Sequence, residues 1–259
     1  MIKKKLALIA LLSSVGPAVN AAPIDLSSWS ELTLNFPGGQ SSGNWVLEAG
    51  NTAVTQTINA DPSFFLNNLN QTSYSIDGSW QVNTSSDNDF MGFAFGYQDS
   101  SNFYLFDWKQ GAQGAYSASA NEGMTIKKYE GATGDGLTDL SLQEFWENTG
   151  DVGDMTILAQ NHGNTQGWAD NVLYDFHLDF LVNPGELHIE VKEGPTTLWD
   201  VTVVDSTFNS GQFGFYNFSQ QTVRYAGFEQ TGGITVPEPG VLALLATALF
   251  GMGLMRRKH

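Results

Sequence analysis

Two segments in the second half of the chain alternate between apolar and polar side chains, with Leu173 as the single exception. The first, NVLYDFHLDF (171–180), has an apolar residue at every second position, and ELHIEVK (186–192) repeats the pattern. A period of two places the apolar residues on one face of a β-strand and the polar residues on the other. The turn signal NPGE (183–186) between them predicts two antiparallel strands with one face on a core.

The same kind of pattern recurs along most of the chain and predicts an all-β fold. LSLQEFWEN (140–148) is the one segment that predicts a short helical turn, and no repeat of fixed period is present. Many strands separated by turn residues predict a single antiparallel β-sandwich of the jelly-roll type. The further predicted strands are NWVLEAGNTAVTQTI, YSIDGSWQV, LWDVTVV, GQFGFYNF and TVRYAGFE.

The segment from Ser85 to Gly111 predicts a core hairpin preceded by an acidic turn. In FMGFAFGY (90–97) one face carries large apolar side chains and the other mostly small ones. Small residues allow another segment to approach the sheet closely. FYLFDWK (103–109) is apolar on both faces, which is typical of a central strand. The large face of the first strand comprises Met91, Phe93, Phe95 and Tyr97.

The first 21 residues have the order of a secretory signal peptide. Lys3, Lys4 and Lys5 precede an apolar run from Leu6 to Leu12, and small residues follow up to a predicted cleavage site after Ala21. This order predicts export and removal of residues 1–21.

The C-terminal end, residues 231–259, carries a second targeting pattern. Pro237, Glu238 and Pro239 precede an apolar segment (241–255) and a basic tail at 256–258. The apolar segment is shorter than the roughly 20 residues of a comfortable membrane span, and its basic tail would remain cytoplasmic. The pattern resembles the PEP-CTERM sorting signal, which implies transient inner-membrane anchoring and removal of the tail by an exosortase. A permanent anchor is the alternative.

The part of the chain between these signals, residues 22–230, is long enough for one β-rich domain with its own core. Six of the 11 basic residues lie at the two ends, whereas 26 of the 27 acidic residues lie between them. Such an acidic domain repels nucleic acid and anionic membranes. The chain has no cysteine, so neither a disulfide nor thiolate chemistry is available.

Several of these segments together resemble the thrombospondin C-terminal domain. The resemblance runs from Asn35 to Glu229 and rests on DNDFMGFAFGYQDSSNFYLFDWKQ, NWVLEAGNTAVTQTINADP and GQFGFYNFSQQTVRYAGFE. It implies a concanavalin-type, lectin-like jelly roll with bound calcium, used for adhesion and matrix contact rather than catalysis. Ala60 replaces the family's cysteine, and the calcium-binding repeats that precede the domain in animal thrombospondins are absent.

Asp87, Asn88 and Asp89 are the predicted metal ligands. Calcium takes six to eight oxygen ligands from flexible loops, and clustered Asp and Asn supply them. Asp61 matches an aspartate of the family in another loop and is included by that resemblance. Asp77 is a weaker candidate, and a solvated acidic turn is the alternative for the triplet. Further loop aspartates that are candidates are Asp135, Asp139, Asp151 and Asp154.

Other chemistry has weaker support in the sequence. Some aromatic residues are candidates for stacking on sugars, although a jelly roll also needs aromatic residues in its core. His162, His177 and His188 do not have zinc spacing and are interpreted as surface histidines. Glu186 and Glu190 lie too far apart along one strand for the carboxylate pair of a glycosidase. The aromatic candidates are Tyr104, Trp108, Trp146 and Trp168.

The sequence therefore predicts a secreted, calcium-binding, non-enzymatic adhesion or matrix protein at the cell surface or in the exopolysaccharide. Its expected partners are the exosortase machinery and either exopolysaccharide or surface proteins, with no nucleic acid. A carbohydrate-binding protein of the exopolysaccharide is the first alternative. A glycan-cleaving enzyme on the same fold is the second.

Overall fold

The computed structural model describes residues 23–235. The predicted signal peptide (1–21) and the sorting motif with its apolar segment and basic tail (237–259) lie outside this range. No helix within the described residues has the length and apolarity that crossing a membrane requires. The last strand continues to Thr235, past the predicted domain boundary at residue 230.

The described residues form two seven-stranded antiparallel sheets and a separate two-stranded ribbon. The first sheet has the order β1-β4-β15-β6-β7-β10-β11, and the second has the order β14-β13-β12-β5-β16-β3-β2. The predicted all-β, lectin-like sandwich is confirmed. The strands are β1 (Ser30–Thr33), β2 (Trp45–Leu47), β3 (Ala53–Gln56), β4 (Ser63–Leu66), β5 (Gln71–Val82), β6 (Phe90–Asp99), β7 (Asn102–Lys109), β8 (Gln113–Ala115), β9 (Ala118–Ala120), β10 (Gly123–Glu130), β11 (Met155–His162), β12 (Leu173–Leu181), β13 (Glu186–Glu193), β14 (Thr196–Val204), β15 (Gln212–Phe218) and β16 (Val223–Thr235).

Helical structure is confined to three short pieces of the described chain. The predicted helical turn is present as α2 (Leu142–Trp146), preceded by α1 (Gly136–Asp139). A 3-10 turn at Leu26–Ser28 and α1 were not predicted, because segments this short leave no periodicity in the sequence.

The sandwich has two hydrophobic cores, one on each face of the first sheet. The main core lies between the sheets and includes Trp80, Phe93 and Phe176. The second core contains Phe103 and Phe145, so α2 covers the outer face of the first sheet. Both cores are formed by residues within 23–235. Residues 22–235 are therefore a suitable unit for the experiments below.

The two faces of β6 are used as predicted except at one residue. Met91 and Phe95 point into the main core, whereas Phe90 points into the second core. Tyr97 also lies in the second core, although strict alternation predicts it beside Phe95. The register of β6 against β7 shifts between Phe95 and Asp99. This bulge reverses the side on which Tyr97 emerges.

Gly92 is expected to tolerate no side chain. A Cβ atom at this position would overlap the backbone carbonyl oxygen of Phe106 on β7. Gly92→Ala is therefore expected to destabilise the fold by about 1–3 kcal/mol, the usual cost of overpacking. Urea unfolding of residues 22–235 measures it. Gly150→Ala is the control, because a Cβ atom there would meet no heavy atom within 4 Å beyond its chain neighbours. Equal midpoints for the two variants would contradict the prediction.

Candidate metal centre

Several loops meet at one end of the sandwich because the strands that precede or follow them are paired there. Phe218 at the end of β15 pairs with Phe90 at the start of β6. Val223 at the start of β16 pairs with Val82 at the end of β5. The loops at this end comprise residues 34–44, 57–62, 83–89 and 219–222.

Asp61 is buried in this region and bound by backbone donors. The amide of Phe36 donates to its Oδ2 at 2.8 Å, and the amide of Gln40 donates to its Oδ1 at 2.6 Å. Burial raises the pKa of Asp61, and these two hydrogen bonds oppose the rise. No Lys or Arg of residues 23–235 forms an ion pair with Asp61.

Asp87 and Asn88 line the open side of the same region. Asn59 donates a side-chain hydrogen bond to the carboxylate of Asp87, which ties two of the loops together. The amide of Asn88 donates to Asp87 Oδ1 at 3.0 Å. The backbone carbonyl of Asn88 accepts from Lys109 Nζ at 3.2 Å. An open depression of about 420 Å³ lies here, lined by Ser85, Ser86, Asp87, Asn88, Gln110 and Gln113.

Asp89 is buried and already has a cationic partner. Its Oδ1 lies 2.5 Å from Nζ of Lys109, whose side chain is completely buried. Burial raises the pKa of Asp89, and the charge of Lys109 opposes that rise. Burial also lowers the pKa of Lys109. One carboxylate oxygen of Asp89 is therefore committed to this ion pair.

Two buried side-chain oxygens beside these carboxylates have no hydrogen-bond partner among residues 23–235. They are Oε1 of Gln40 and Oδ1 of Asn59. Gln40 uses its amide nitrogen on Ser219 at 2.7 Å, and Asn59 uses its own on Asp87. A buried acceptor without a donor costs free energy, which a bound cation would recover. The group offers only oxygen atoms, which suits calcium.

The amino-acid pattern itself matches a known family over most of the chain. The model of the thrombospondin C-terminal region matches residues 40–231. This chain belongs to the thrombospondin C-terminal family. The PEP-CTERM protein-sorting motif matches residues 235–258. The protein is therefore sorted by an exosortase after transient membrane anchoring and is secreted or held at the cell surface.

Relatives of this thrombospondin C-terminal chain include two animal proteins. It is 30% identical over 221 residues to cartilage oligomeric matrix protein of Bos taurus, covering 83% of this chain and 29% of that protein. It is also 30% identical over 221 residues to thrombospondin-4-B of Danio rerio, covering 83% of this chain and 23% of that protein. The chain thus spans about a quarter of the length of these relatives.

The thrombospondin C-terminal fold also resembles solved carbohydrate-binding proteins. The carbohydrate-binding module CBM66 of Bacillus subtilis matches with a TM-score of 0.52 at 12% identity, covering 79% of this chain and 96% of the module. The exoplasmic domain of VIP36, solved with Ca²⁺ and Man3GlcNAc, matches with a TM-score of 0.51 at 9% identity, covering 83% and 88%. At these identities the likeness describes the fold alone.

Most of the other candidate aspartates of the thrombospondin C-terminal domain have structural partners of their own. Asp135 caps α1 and accepts from the amide of Leu137 at 3.1 Å. Asp139 accepts from the amide of Thr133 at 2.8 Å. Asp77 lies in the middle of β5, so it does not join the loops at the end of the sandwich. Asp151 accepts from the amide of Ile157 at 2.8 Å, and Asp154 is exposed.

The four aromatic candidates for sugar stacking are core residues. Tyr104 and Trp108 lie in the main core and Trp146 in the second core, each less than 3% exposed. Trp168 is also in the main core and donates from Nε1 to the carbonyl of Asp89 at 3.2 Å. The stacking interpretation is wrong for these residues, because their faces are covered by other side chains.

Two of the histidines interpreted as surface residues are partly exposed as expected, but the structure also brings them together. His177 and His188 lie together on the outer face of the second sheet with Asp179 between them. The alternation already places His177 and Asp179 on one face of β12. To predict the cluster from the sequence, one would also need the register of the β12–β13 hairpin, which sets Asp179 opposite His188.

Proposed function

We propose that this protein is a calcium-binding, non-enzymatic adhesion or matrix module of the cell surface. The observation that carries the calcium assignment is the group of buried carboxylates beside two buried oxygens without partners. The proposed protein ligands are Asp61, Asp87, Asn88 and Asp89. Gln40 and Asn59 lie within the same group of loops and offer the two free oxygens.

Calcium would stabilise the loops at this end of the domain by binding ligands from several of them. The hydrogen bonds of Asn59 to Asp87 and of Gln40 to Asp61 already tie neighbouring loops to one another. A cation among these groups would add bonds to several loops at once and offset the repulsion between their carboxylates. Loops fixed in this way present a defined surface for a partner, which an adhesion module needs.

The cellular location and the relatives support adhesion. The sorting signal delivers the domain to the surface, where exopolysaccharide and other surface proteins are the available partners. One relative, cartilage oligomeric matrix protein, is by its name a matrix component. The excess of acidic residues in the domain favours partners that are neutral or bridged by divalent cations.

Carbohydrate binding is the second candidate, because VIP36 was solved with a glycan and shares the fold. Against it, the exposed large apolar residues within 23–235 include no aromatic side chain: they are Val46, Leu69, Leu137, Leu173 and Val204. Incubating residues 22–235 with the producer's own polysaccharide separates the alternatives. New reducing ends would indicate a glycan-cleaving enzyme, and depletion of the protein without cleavage would indicate a lectin. If neither effect is observed, the result agrees with protein-mediated adhesion.

Calcium is expected to raise the melting temperature of residues 22–235 by about 5–10 °C relative to chelator. A ligand at 100 times its Kd stabilises the folded state by about 2.7 kcal/mol, and for a domain of this size each kcal/mol corresponds to about 2–4 °C. Differential scanning calorimetry measures the shift. Magnesium is expected to give a smaller rise, because it requires a tighter octahedral shell.

Asp87→Ala is expected to remove most of the calcium response. Asp87 is the suitable position because its removal leaves the buried pair of Asp89 and Lys109 intact. Asp175→Ala is the matched control, since it also removes one negative charge but lies on the exposed face of β12. A full calcium response in Asp87→Ala, or the same melting curve with chelator and with calcium in the wild type, would refute the assignment.

A further inference from the structure

The outer face of the second sheet carries a compact group of two histidines and one aspartate. Asp179 on β12 lies directly opposite His188 on β13, and His177 on β12 lies opposite Asp77 on β5. The nitrogen and oxygen atoms of His177, Asp179 and His188 that face one another all lie within 4.8 Å. The side chains are 24–29% exposed, so the group is open to solvent on one side.

The distances within this group match the separation of ligands around a small metal ion. Nε2 of His177 lies 3.1 Å from Oδ2 of Asp179, and Nδ1 of His188 lies 3.2 Å from the same oxygen. Ligands about 2.0–2.1 Å from a tetrahedral zinc ion lie roughly 3.3–3.4 Å apart by geometry. Both nitrogen–oxygen distances are thus close to that separation, and the two histidine nitrogens lie within 4.8 Å of each other.

Each of the three side chains also forms a hydrogen bond through its atom that faces away from the proposed metal position. Nδ1 of His177 bonds to Asp77 Oδ1 at 2.8 Å, and Nε2 of His188 bonds to Asp200 Oδ1 at 2.9 Å. Ser75 donates to the second carboxylate oxygen of Asp179. A carboxylate behind a ligating histidine fixes the ring and directs the other nitrogen to the metal.

We propose that His177, Asp179 and His188 bind a zinc ion on this face of the sheet. Histidine nitrogen suits zinc and similar transition metals, whereas calcium takes oxygen ligands, so this site is chemically distinct from the loop site. Three protein ligands leave a fourth position of the tetrahedron for water or for a group of a partner molecule. The site therefore provides a metal-dependent contact point on a rigid sheet, separate from the calcium-binding end.

The rival account is a ladder of charged side chains without metal. In that account protonated histidines sit between the carboxylates of Asp77, Asp179 and Asp200 and only offset their repulsion. The two accounts differ in zinc uptake, in its dependence on Asp200, and in the visible absorption that cobalt(II) gives in a four-coordinate histidine site.

Titration of residues 22–235 with zinc chloride at neutral pH, followed by isothermal calorimetry, tests the proposal. The wild type is expected to bind one equivalent, and excess calcium is expected to leave this binding unchanged. His188→Ala is expected to abolish it. Asp200→Asn, which changes only the residue behind His188, is expected to weaken the affinity about 10–100-fold. Cobalt(II) is expected to give visible absorption in the wild type and none in His188→Ala.

His162→Ala is the matched control, because His162 is on β11 of the other sheet and contacts Thr125. It is expected to bind zinc as the wild type does. Equal melting temperatures in chelator for His188→Ala and the wild type establish that the variant is folded. The zinc site is refuted if the wild type takes up no zinc or if His188→Ala takes up as much zinc as the wild type. The charge ladder is then the remaining account of this cluster. The calcium melts are independent of either result.

Discussion

Replacing Lys127 by alanine is expected to lower the free energy of unfolding by about 3–5 kcal/mol, the usual cost of leaving a buried charge without its partner. Lys127 and Asp107 form an ion pair of 2.7 Å, and neither side chain is exposed. Lys127 Nζ also donates to the carbonyl of Phe145 in α2 at 3.0 Å. The variant would therefore leave Asp107 buried without its ion-pair partner. Burial already raises the pKa of Asp107, and Lys127 is the main group that opposes the rise.

For a domain of this size the loss corresponds to a fall of roughly 6–20 °C in melting temperature. Lys192→Ala is the matched control, because its pair with Glu190 is open to solvent and such pairs contribute about 0–1 kcal/mol. The double variant Lys127→Met with Asp107→Leu is expected to melt above Lys127→Ala, since replacing both charges removes the desolvation cost. If Lys127→Ala and Lys192→Ala have the same melting temperature, the buried pair of Lys127 and Asp107 does not stabilise the fold in this way.

The protein released from cells is expected to lack residues 241–259. The motif at 235–258 directs the chain to an exosortase, and cleavage there separates the folded domain from the apolar segment and the basic tail. Because this cleavage separates the domain from its transient membrane anchor, we expect no full-length protein in the released fraction. Intact-mass spectrometry of the released protein and of the membrane fraction measures it.

A variant with Pro237, Glu238 and Pro239 replaced by alanine is expected to remain at full length in the membrane fraction. The control is Asp175→Ala in the same full-length chain, which leaves the motif unchanged and is expected to be released normally. An intact C-terminus on the released wild-type protein, or normal release of the triple variant, would contradict processing at this motif.

The loops that form the candidate calcium site show where sequence information ends. The triplet from Asp87 to Asp89 is recognisable in the sequence because its members are adjacent. Asp61 entered only through the family resemblance. Its position near Asp89 depends on the pairing of β15 with both β4 and β6, which joins segments far apart in the chain. The ion pair of Asp89 with Lys109 depends instead on the register of the β6–β7 hairpin, which pairs Phe90 with Lys109.

Local patterns were sufficient to identify most strands, their buried faces and the C-terminal sorting motif. Alternation in β12 and β13 is a local consequence of the two-residue period of a strand, so it is legible without a structure. The order of signals at the termini is legible for the same reason, since each acts through its own local chemistry.

Long-range packing sets which polar groups meet and which aromatic residues are buried. Trp146 is in a core because α2 covers the outer face of the first sheet, and Tyr97 changes face because of a bulge. His177 and His188 become neighbours through the register of two strands. A local pattern states which side of a strand a residue occupies. The partner across the sheet and the layer above it are set by contacts between distant segments, whose free energy depends on the whole packed fold.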